Sequence, residues 1–237
     1  MIYSLIFVII LLYFYTFGIS TYKRHFSSSV LRHGSIKENT IALTFDDGPH
    51  PIYTPKLLDI FNEYSIKVTF FLVTKNAIIH PEIIQRMLHE GHEVGLHTFS
   101  HKHAWLLNPW STYMDFKKSQ EAFLFFFNIS LKWFRPPWGT FNLFTDYFAK
   151  KFDMQSVYWS VETNDWSAQT SSEMIHKSVT TLSKAGSIIV LHDNNGANMS
   201  SMKMIESLPK IITDLTTQGY HFVTLHEMEA IGSDKNN

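Results

Sequence analysis

Cysteine is absent from this sequence of 237 residues. Without thiols the chain has no disulfide, no sulfur ligand for zinc and no cysteine nucleophile, so a bound metal has to be held by histidine and carboxylate side chains. An excess of either charge is also missing, because 20 Lys and Arg side chains are balanced by 21 Asp and Glu side chains. This balance gives no electrostatic reason to expect nucleic acid as a partner. The length suits one domain with a full core.

Charged side chains are missing from residues 1–22, and the stretch 2–17 is almost wholly apolar. This run approaches the ~20 residues that a bilayer-spanning helix needs. A cleaved signal peptide carries basic residues before its apolar run, whereas Lys23 and Arg24 follow it here. We therefore expect residues 1–22 to be an uncleaved transmembrane anchor, and secretion after signal cleavage is the alternative.

Short β-rich runs alternate with helical patterns from residue 40 onward, which is typical of βα units with a mostly parallel sheet. The predicted strands cover 41–45, 68–72, 93–96, 133–135, 156–159, 188–191 and 222–224. The predicted helices cover 55–64, 81–90, 109–127, 143–151, 172–184 and 202–218. We expect residues 39–232 to form one α/β domain, with a linker at 23–38 and a tail at 233–237.

Polar clusters follow the predicted strands at five places. They read TFDDGP at 44–49, HTFSH at 97–101, RPPWG at 135–139, NDW at 164–166 and LHD at 191–193. Parallel α/β barrels assemble their active sites from the loops after the strands, so we expect these five clusters to form one site.

Two of the clusters contain side chains suited to a metal-dependent hydrolase. Asp46 and Asp47 are adjacent, and the turn at 48–49 can bring both carboxylates to one pocket, where one binds a metal and the other takes a proton. His97 and His101 are four residues apart and can bind the same ion. Two imidazoles and one carboxylate leave coordination positions open for water and substrate.

The other clusters supply an arginine and a third histidine. Arg135 precedes two prolines, and by itself it also fits a surface salt bridge. His192 ends an apolar strand, so it belongs at the same edge of the sheet. Asp165, next to Trp166, is suited to orient the imidazole of His192.

The five clusters, in this order, resemble the five motifs of the polysaccharide deacetylases, the NodB-homology domain of carbohydrate esterase family four. The resemblance runs from about residue 40 to residue 227 and identifies 39–232 as the catalytic domain. It implies an α/β fold, a deformed (β/α) barrel with about seven parallel strands, preceded here by one N-terminal transmembrane helix. The fourth motif departs from the family pattern because Glu162 replaces an aspartate. The role of Glu162 therefore stays open.

The resemblance also implies catalytic roles and one divalent metal ion. Asp46 is expected to be the general base and His192 the general acid. Arg135 would hold Asp46 ionised and oriented, and Asp165 would pair with His192. The expected metal ligands are Asp47, His97 and His101. Zinc suits these ligands best, and cobalt, manganese and nickel also suit them.

The substrate groove is expected near the third, fourth and fifth motifs. By the resemblance, the backbone N–H of Trp138 stabilises the oxyanion. The side chains of Trp138 and Leu191 would line the groove that holds the acetyl methyl group and the sugar face. Pro137 and Trp166 are expected beside them.

The implied activity is metal-dependent removal of N-acetyl groups from N-acetylglucosamine-type sugars of a cell-wall or capsular polysaccharide, such as peptidoglycan or a chitin-like polymer. One alternative is a deacylase or deformylase of a lipid-linked sugar, and another is an inactive carbohydrate-binding module. Lys23, Arg24 and Arg32 follow the apolar run, and the positive-inside rule alone would leave the domain in the cytoplasm. A wall substrate requires the outside, so we expect a single-pass membrane protein with an extracytoplasmic catalytic domain.

Overall fold

A computed structural model of the chain describes residues 1–194 and 200–233. In these ranges nine strands form one sheet: β1 Val30–Leu31, β2 Thr40–Asp46, β3 Thr69–Leu72, β4 Glu93–Leu96, β5 Trp133–Phe134, β6 Gln155–Val157, β7 Val161–Glu162, β8 Ile188–His192 and β9 His221–Phe222. The order is β1-β6-β5-β4-β3-β2-β8-β7, with β9 beside β2, and all these pairings are parallel. The expected deformed barrel of parallel strands is confirmed. The two-residue strands β1 and β7 were not predicted.

Helices follow most of the strands and cover the sheet. They are α1 Ile2–Tyr13, α2 Ile19–His25, α3 Tyr53–Glu63, α4 Thr74–Ile79, α5 Pro81–His89, α6 Pro109–Phe127, α7 Thr145–Lys151, α8 Ser172–Leu182, α9 Ser200–Thr217 and α10 Leu225–Ser233. All six helices predicted for the domain are present within a few residues of their expected bounds. The short α4 and the C-terminal α10 were not predicted.

Alternating side chains divide the core into an outer and an inner layer. The outer layer packs the sheet against the helices and includes Phe45, Phe70 and Leu191. The inner layer lies within the curl of the sheet and joins residues of five strands to α10; its buried members are Ala42, Phe71, Trp133, Val157, Ile188, Leu225 and Met228. The N–H of Leu225 donates to Thr69 at the start of β3, so α10 lies at the amino ends of the strands. The pocket described below opens at the carboxyl ends.

The N-terminal segment is helical from Ile2 to His25, because a π-helical turn at Phe14–Gly18 connects α1 and α2. Among the described residues this is the one helix that is long and apolar enough to cross a bilayer, judged by length and composition. Residues 2–14 are exposed, while residues 15–20 are partly or fully covered by the domain, apart from Phe17. The helix therefore has a free apolar part and a docked part.

Residues 23–38 differ from the expected free linker. Val30 and Leu31 form β1 and pair with β6 of the domain. The Arg32 guanidinium donates to the carbonyl oxygens of Lys23 at 2.7 Å and Ser27 at 2.6 Å, which satisfies backbone groups at the end of the helix. The helix thus continues directly into the fold. Of the expected tail 233–237, residues 234–237 lie outside the described residues.

The docked end of the helix is held by a buried carboxylate. Asp146 accepts from Lys23 Nζ at 2.6 Å, Ser29 Oγ at 2.8 Å and Ser156 Oγ at 2.9 Å. Burial alone would raise the pKa of Asp146, but Lys23 and the two hydroxyl donors hold this pKa below its ordinary value. The exposed Lys150 lies 3.6 Å from the same carboxylate.

We predict that Lys23→Ala lowers the stability of the protein by about 1–3 kcal/mol, because it leaves the buried Asp146 without its cation. Lys150→Ala serves as the control and should cost less than about 1 kcal/mol, since this lysine is mostly in water. Thermal unfolding in detergent micelles measures both. The pKa of Asp146 is lower in the folded protein than in the unfolded chain, so its ionised carboxylate stabilises the fold at any pH above the unfolded pKa of ~3.9. This stabilisation is lost as the pH falls through the lower pKa of the folded protein. Equal losses at pH 7 in the two variants would contradict this assignment.

Candidate active site

A sharp turn after β2 directs two neighbouring carboxylates into one pocket. Asp46 ends the strand, and Asp47 has a left-handed backbone with φ 76°. Because the chain reverses at Asp47, the two side chains no longer point to opposite faces, and both line the same pocket. A Cβ atom at Gly48 would lie 2.4 Å from both carboxylate oxygens of the buried Asp193, so this turn accepts only glycine.

The two histidines after β4 are brought together by a second tight turn. Thr98 and His101 have left-handed backbones with φ 69° and 52°, and the His101 N–H donates to Thr98 Oγ1 at 3.0 Å. The rings of His97 and His101 lie 5.2 Å apart between centroids. The i, i+4 pair therefore converges through a turn, although its spacing is that of a helix.

Asp47, His97 and His101 direct their ligand atoms at each other. Asp47 Oδ1 lies 2.9 Å from His101 Nε2 and 3.2 Å from His97 Nε2, and the three ligand atoms are all within 4.8 Å of one another. Burial would raise the pKa of Asp47, but the imidazoles of His101 and His97 lower it below its ordinary value. The cluster therefore holds an ionised oxygen between two ring nitrogens.

The chemistry of these three groups fits a cation. His97 Nδ1 lies 2.8 Å from the carbonyl oxygen of Arg135, which can only accept, so Nδ1 carries the proton. Its Nε2 then faces Asp47 Oδ1, a buried oxygen with no well-directed hydrogen bond. A divalent cation would take up the electron pairs of this oxygen and of the ring nitrogens that surround it.

Arg135 fixes the other carboxylate of the pair. Its guanidinium is fully buried, and Nη1 donates to Asp46 Oδ1 and to Thr44 Oγ1, both at 2.7 Å. Thr44 Oγ1 in turn donates to the carbonyl oxygen of Ile189 on β8. With Oδ1 held, Asp46 keeps Oδ2 on the side of the metal cluster, 4.0 Å from His97 Nε2.

His192 lines the same pocket and lies beside Asp46 in the β2–β8 register. Asp165 binds it twice: Oδ1 lies 2.9 Å from His192 Nδ1, and Oδ2 accepts the backbone N–H at 2.7 Å. Burial lowers the pKa of His192, but Asp165 and, more weakly, Asp47 and Asp46 raise it to about 10. The ring is therefore held as a proton donor at neutral pH.

These groups surround a pocket of about 440 Å³. It is lined by Asp46, Asp47, His97, His101, Trp138, Trp159, Glu162, Trp166 and His192. Arg135 and Asp165 lie behind this lining. Of the expected groove residues, Trp138 and Trp166 line the pocket, whereas Leu191 and Pro137 are buried. Leu191 faces the helices because its neighbour His192 takes the pocket side of β8.

Trp159 was not predicted to take part in the site, the role of Glu162 was left open, and Asp193 was named in the fifth cluster without a role. Trp159 and Glu162 line the pocket, and Trp159 Nε1 donates to Glu162 Oε2 at 3.3 Å. Trp159 ends a predicted strand, so the rule that located the five clusters would also have found it. Asp193 accepts a hydrogen bond from Thr54 and packs against Gly48, which links the fifth motif to the first.

Comparisons with known proteins agree with this geometry. The sequence profile described as polysaccharide deacetylase matches residues 33–157. The chain belongs to the polysaccharide deacetylase family. A peptidoglycan-N-acetylglucosamine deacetylase of Bacillus cereus is 37% identical over 193 residues, which cover 81% of this chain and 88% of that protein. Deacetylases of carbohydrate esterase family four use a divalent metal, and the cluster of Asp47, His97 and His101 is suited to hold one.

Solved structures of the family have the same fold. The crystal structure of the Bc1960 peptidoglycan N-acetylglucosamine deacetylase, in complex with 4-naphthalen-1-yl-N-oxidanyl-benzamide, matches with a TM-score of 0.81 and 34% identity over 85% of this chain and 93% of that chain. A family-four pseudoenzyme from Bacillus anthracis matches with a TM-score of 0.76 at 23% identity, over 86% of this chain and 70% of that chain. The fold alone therefore does not establish activity.

We predict that Asp165→Asn lowers the pKa of His192 well below 10, because burial, which lowers it, is then opposed only by the more distant carboxylates. NMR titration of the imidazole in the metal-free protein measures this pKa. Since the folded pKa of His192 is raised, its contribution to stability is present below the unfolded pKa of ~6.5 and is lost as the pH rises toward 10. The variant should therefore lose more stability at pH 6 than at pH 10.5. An unchanged His192 pKa would show that Asp165 is not the cause.

Proposed function

We propose that this protein is a metal-dependent deacetylase that hydrolyses the acetamide of N-acetylglucosamine-type sugars in peptidoglycan. One observation carries the proposal: three ligand atoms converge within 4.8 Å in a pocket that also holds Asp46 and His192. The substrate class is supported by relatives named for the N-acetylglucosamine and N-acetylmuramic acid units of peptidoglycan.

Asp47, His97 and His101 would hold one divalent cation, which when bound lowers the pKa of water and polarises the acetyl carbonyl. Zinc is the ion that two imidazoles and a carboxylate favour most, and cobalt, manganese and nickel bind the same donors. The carbonyl oxygen of Arg135 keeps His97 in the tautomer that leaves Nε2 free for the ion.

Asp46 and His192 then divide the proton transfers. Asp46 Oδ2 takes a proton from the attacking water, while Arg135 holds Oδ1. The backbone N–H of Trp138 stabilises the negative charge that develops on the carbonyl oxygen. His192, held by Asp165, gives a proton to the departing nitrogen. Water adds, the C–N bond breaks, and acetate and a free amine leave without a covalent enzyme intermediate.

The rim of the pocket suits a sugar. Trp138 and Trp166 are 53% and 51% exposed, and with Trp159 they present indole surfaces around the polar floor. Aromatic rings pack well against the apolar face of a pyranose and leave its hydroxyl groups to water or polar side chains. Intact proton-transfer residues, Asp46 and His192, favour an enzyme over an inactive carbohydrate-binding module.

We also propose that residues 1–22 anchor the protein in the membrane and that residues 39–232 act outside it. The contacts of Tyr15 and Ser20 with the domain support an uncleaved helix, because signal cleavage after residue 22 would remove groups that the fold binds. The extracytoplasmic placement follows from the wall substrate.

Release of free acetate tests the function most simply. The full-length protein in detergent micelles is incubated with N-acetylglucosamine oligomers and with purified cell wall, and acetate is quantified. We expect release from at least one of them. Absence of release from both, with correctly folded and metal-loaded protein, would overturn the proposal.

We predict that Asp47→Ala and His101→Ala lose bound metal, whereas Asp46→Asn and His192→Ala keep it. Asp46→Asn should lose nearly all turnover, and His192→Ala should lose about 10²–10⁴-fold, the typical contribution of one proton-transfer group. Elemental analysis beside the acetate assay separates the two classes. An active Asp46→Asn variant would refute the assignment of the base.

We predict that protease added to intact, wall-stripped cells digests the protein from about residue 25 onward, because the catalytic domain is outside. Cells opened before digestion provide the control for protease susceptibility. Protection in intact cells would place the domain in the cytoplasm, and it would make a lipid-linked sugar at the inner membrane face the better substrate.

A further inference from the structure

The loop that carries Trp138 is held by the N-terminal helix. Arg24 Nη2 donates to the carbonyl oxygen of Trp138 at 2.6 Å, and Arg24 Nε donates to that of Gly139 at 3.0 Å. A planar guanidinium with two donors on consecutive carbonyls fixes the orientation of both peptide groups. Arg24 thus reaches the active-site loop across more than one hundred residues of sequence.

One turn earlier on the same helix, Ser20 binds the other end of this loop. Its hydroxyl accepts the N–H of Phe141 and donates to the carbonyl oxygen of Phe141, both at 2.9 Å. It also accepts from Trp105 Nε1 at 3.1 Å. Ser20 is 4% exposed, so this buried hydroxyl has its full set of partners.

The loop requires such support because its backbone is strained. Trp138 has φ 54° and Gly139 has φ 58°, so two consecutive residues are left-handed, and the first is a bulky aromatic residue. The Trp138 ring lies 4.4 Å from the ring of the metal-cluster residue His101. A change in this loop would therefore move the pocket wall and the peptide group expected to stabilise the oxyanion.

The helix is itself rigidly attached at this point. Lys23 pairs with Asp146 on α7, and the Arg32 guanidinium binds the backbone carbonyls of residues 23 and 27. Phe17 packs 4.3 Å from the ring of Trp105, between centroids. Ser20 and Arg24 are four residues apart and so lie on one face of the helix, toward the loop.

We propose that Ser20 and Arg24 are positioning residues of the active site, so that the N-terminal helix is a working part of the catalytic unit and not only a tether. The proposal rests on the proposed deacetylase function. It follows that cleavage after Arg24, which removes both Ser20 and Arg24, disables the enzyme by releasing the Trp138 loop.

The test compares three variants of the full-length chain in detergent micelles. Arg24→Gln removes the guanidinium, Arg24→Lys keeps the charge with one donor group, and Lys150→Gln, a change on α7 and not on the N-terminal helix, is the control. The kcat and KM for acetate release, the metal content and the Tm are measured, all at a temperature well below the lowest Tm.

We expect Arg24→Gln to lower kcat by about 10- to 100-fold, as small misplacements of catalytic groups do, with metal content unchanged. Arg24→Lys should recover part of the loss. Lys150→Gln should leave the Tm nearly unchanged and kcat within about twofold, because this exposed lysine is not on the N-terminal helix. A kcat within twofold of the parent in Arg24→Gln, or an equal loss in Lys150→Gln, would overturn the proposal.

A second readout does not depend on turnover. Fluorine NMR of protein labelled with 5-fluorotryptophan reports the surroundings of Trp138, whose signal is assigned with Trp138→Phe. Arg24→Gln should shift or broaden this signal, and Lys150→Gln should not. If the parent releases no acetate, the proposed function fails while this signal still decides whether Arg24 positions the loop. An unchanged Trp138 signal in Arg24→Gln would refute the positioning role.

Discussion

The buried guanidinium of Arg135 is the group on which the active site depends. The Arg135 side chain holds the carboxylate of Asp46, and its Nη2 donates to the carbonyl oxygen of Tyr158 at 3.3 Å. The backbone carbonyl oxygen of Arg135 fixes the ring of His97. A fully buried cation is tolerated only when it is paired, and removing one partner of such a pair costs about 3–5 kcal/mol. One residue directly after the short strand β5 therefore links Asp46, His97 and the wall of the pocket.

Much of the fold could be predicted from the sequence because long elements carry a periodic pattern. The strands β2, β4 and β8 and the helix α6 were located closely, since their apolar runs are long enough to show the spacing of a strand or a helix. The strands β1 and β7 have only two residues each, which is too short to show a period. They form because they pair with β6 and β8, and the sequence gives no sign of this pairing. Residues 23–38 were predicted to be a linker because they show no helical or strand periodicity. The sequence alone does not reveal which groups of the domain their polar side chains contact in the fold.

The site residues that could be predicted are the polar, chemically reactive side chains that follow predicted strands. Carboxylates and histidines at the ends of parallel strands have to meet, and the structure does bring them to one pocket. Leu191 was placed in the groove although alternation along β8 directs it to the core, and Glu162 was left undecided because its pocket position depends on the unpredicted β7. The contacts of Ser20 and Arg24 could not be predicted from the sequence, because a serine in an apolar run and a basic residue after it are typical of any membrane anchor.

We propose that one cation, held by Asp47, His97 and His101, makes this pocket a deacetylase. The most direct measurement titrates the metal-free protein with zinc while turnover and the metal environment are followed by acetate release and X-ray absorption. We expect turnover to rise with occupancy and to stop rising at one ion per chain, with two imidazole nitrogens bound to the ion. Full turnover in the metal-free protein, or an active ion without imidazole ligands, would contradict it.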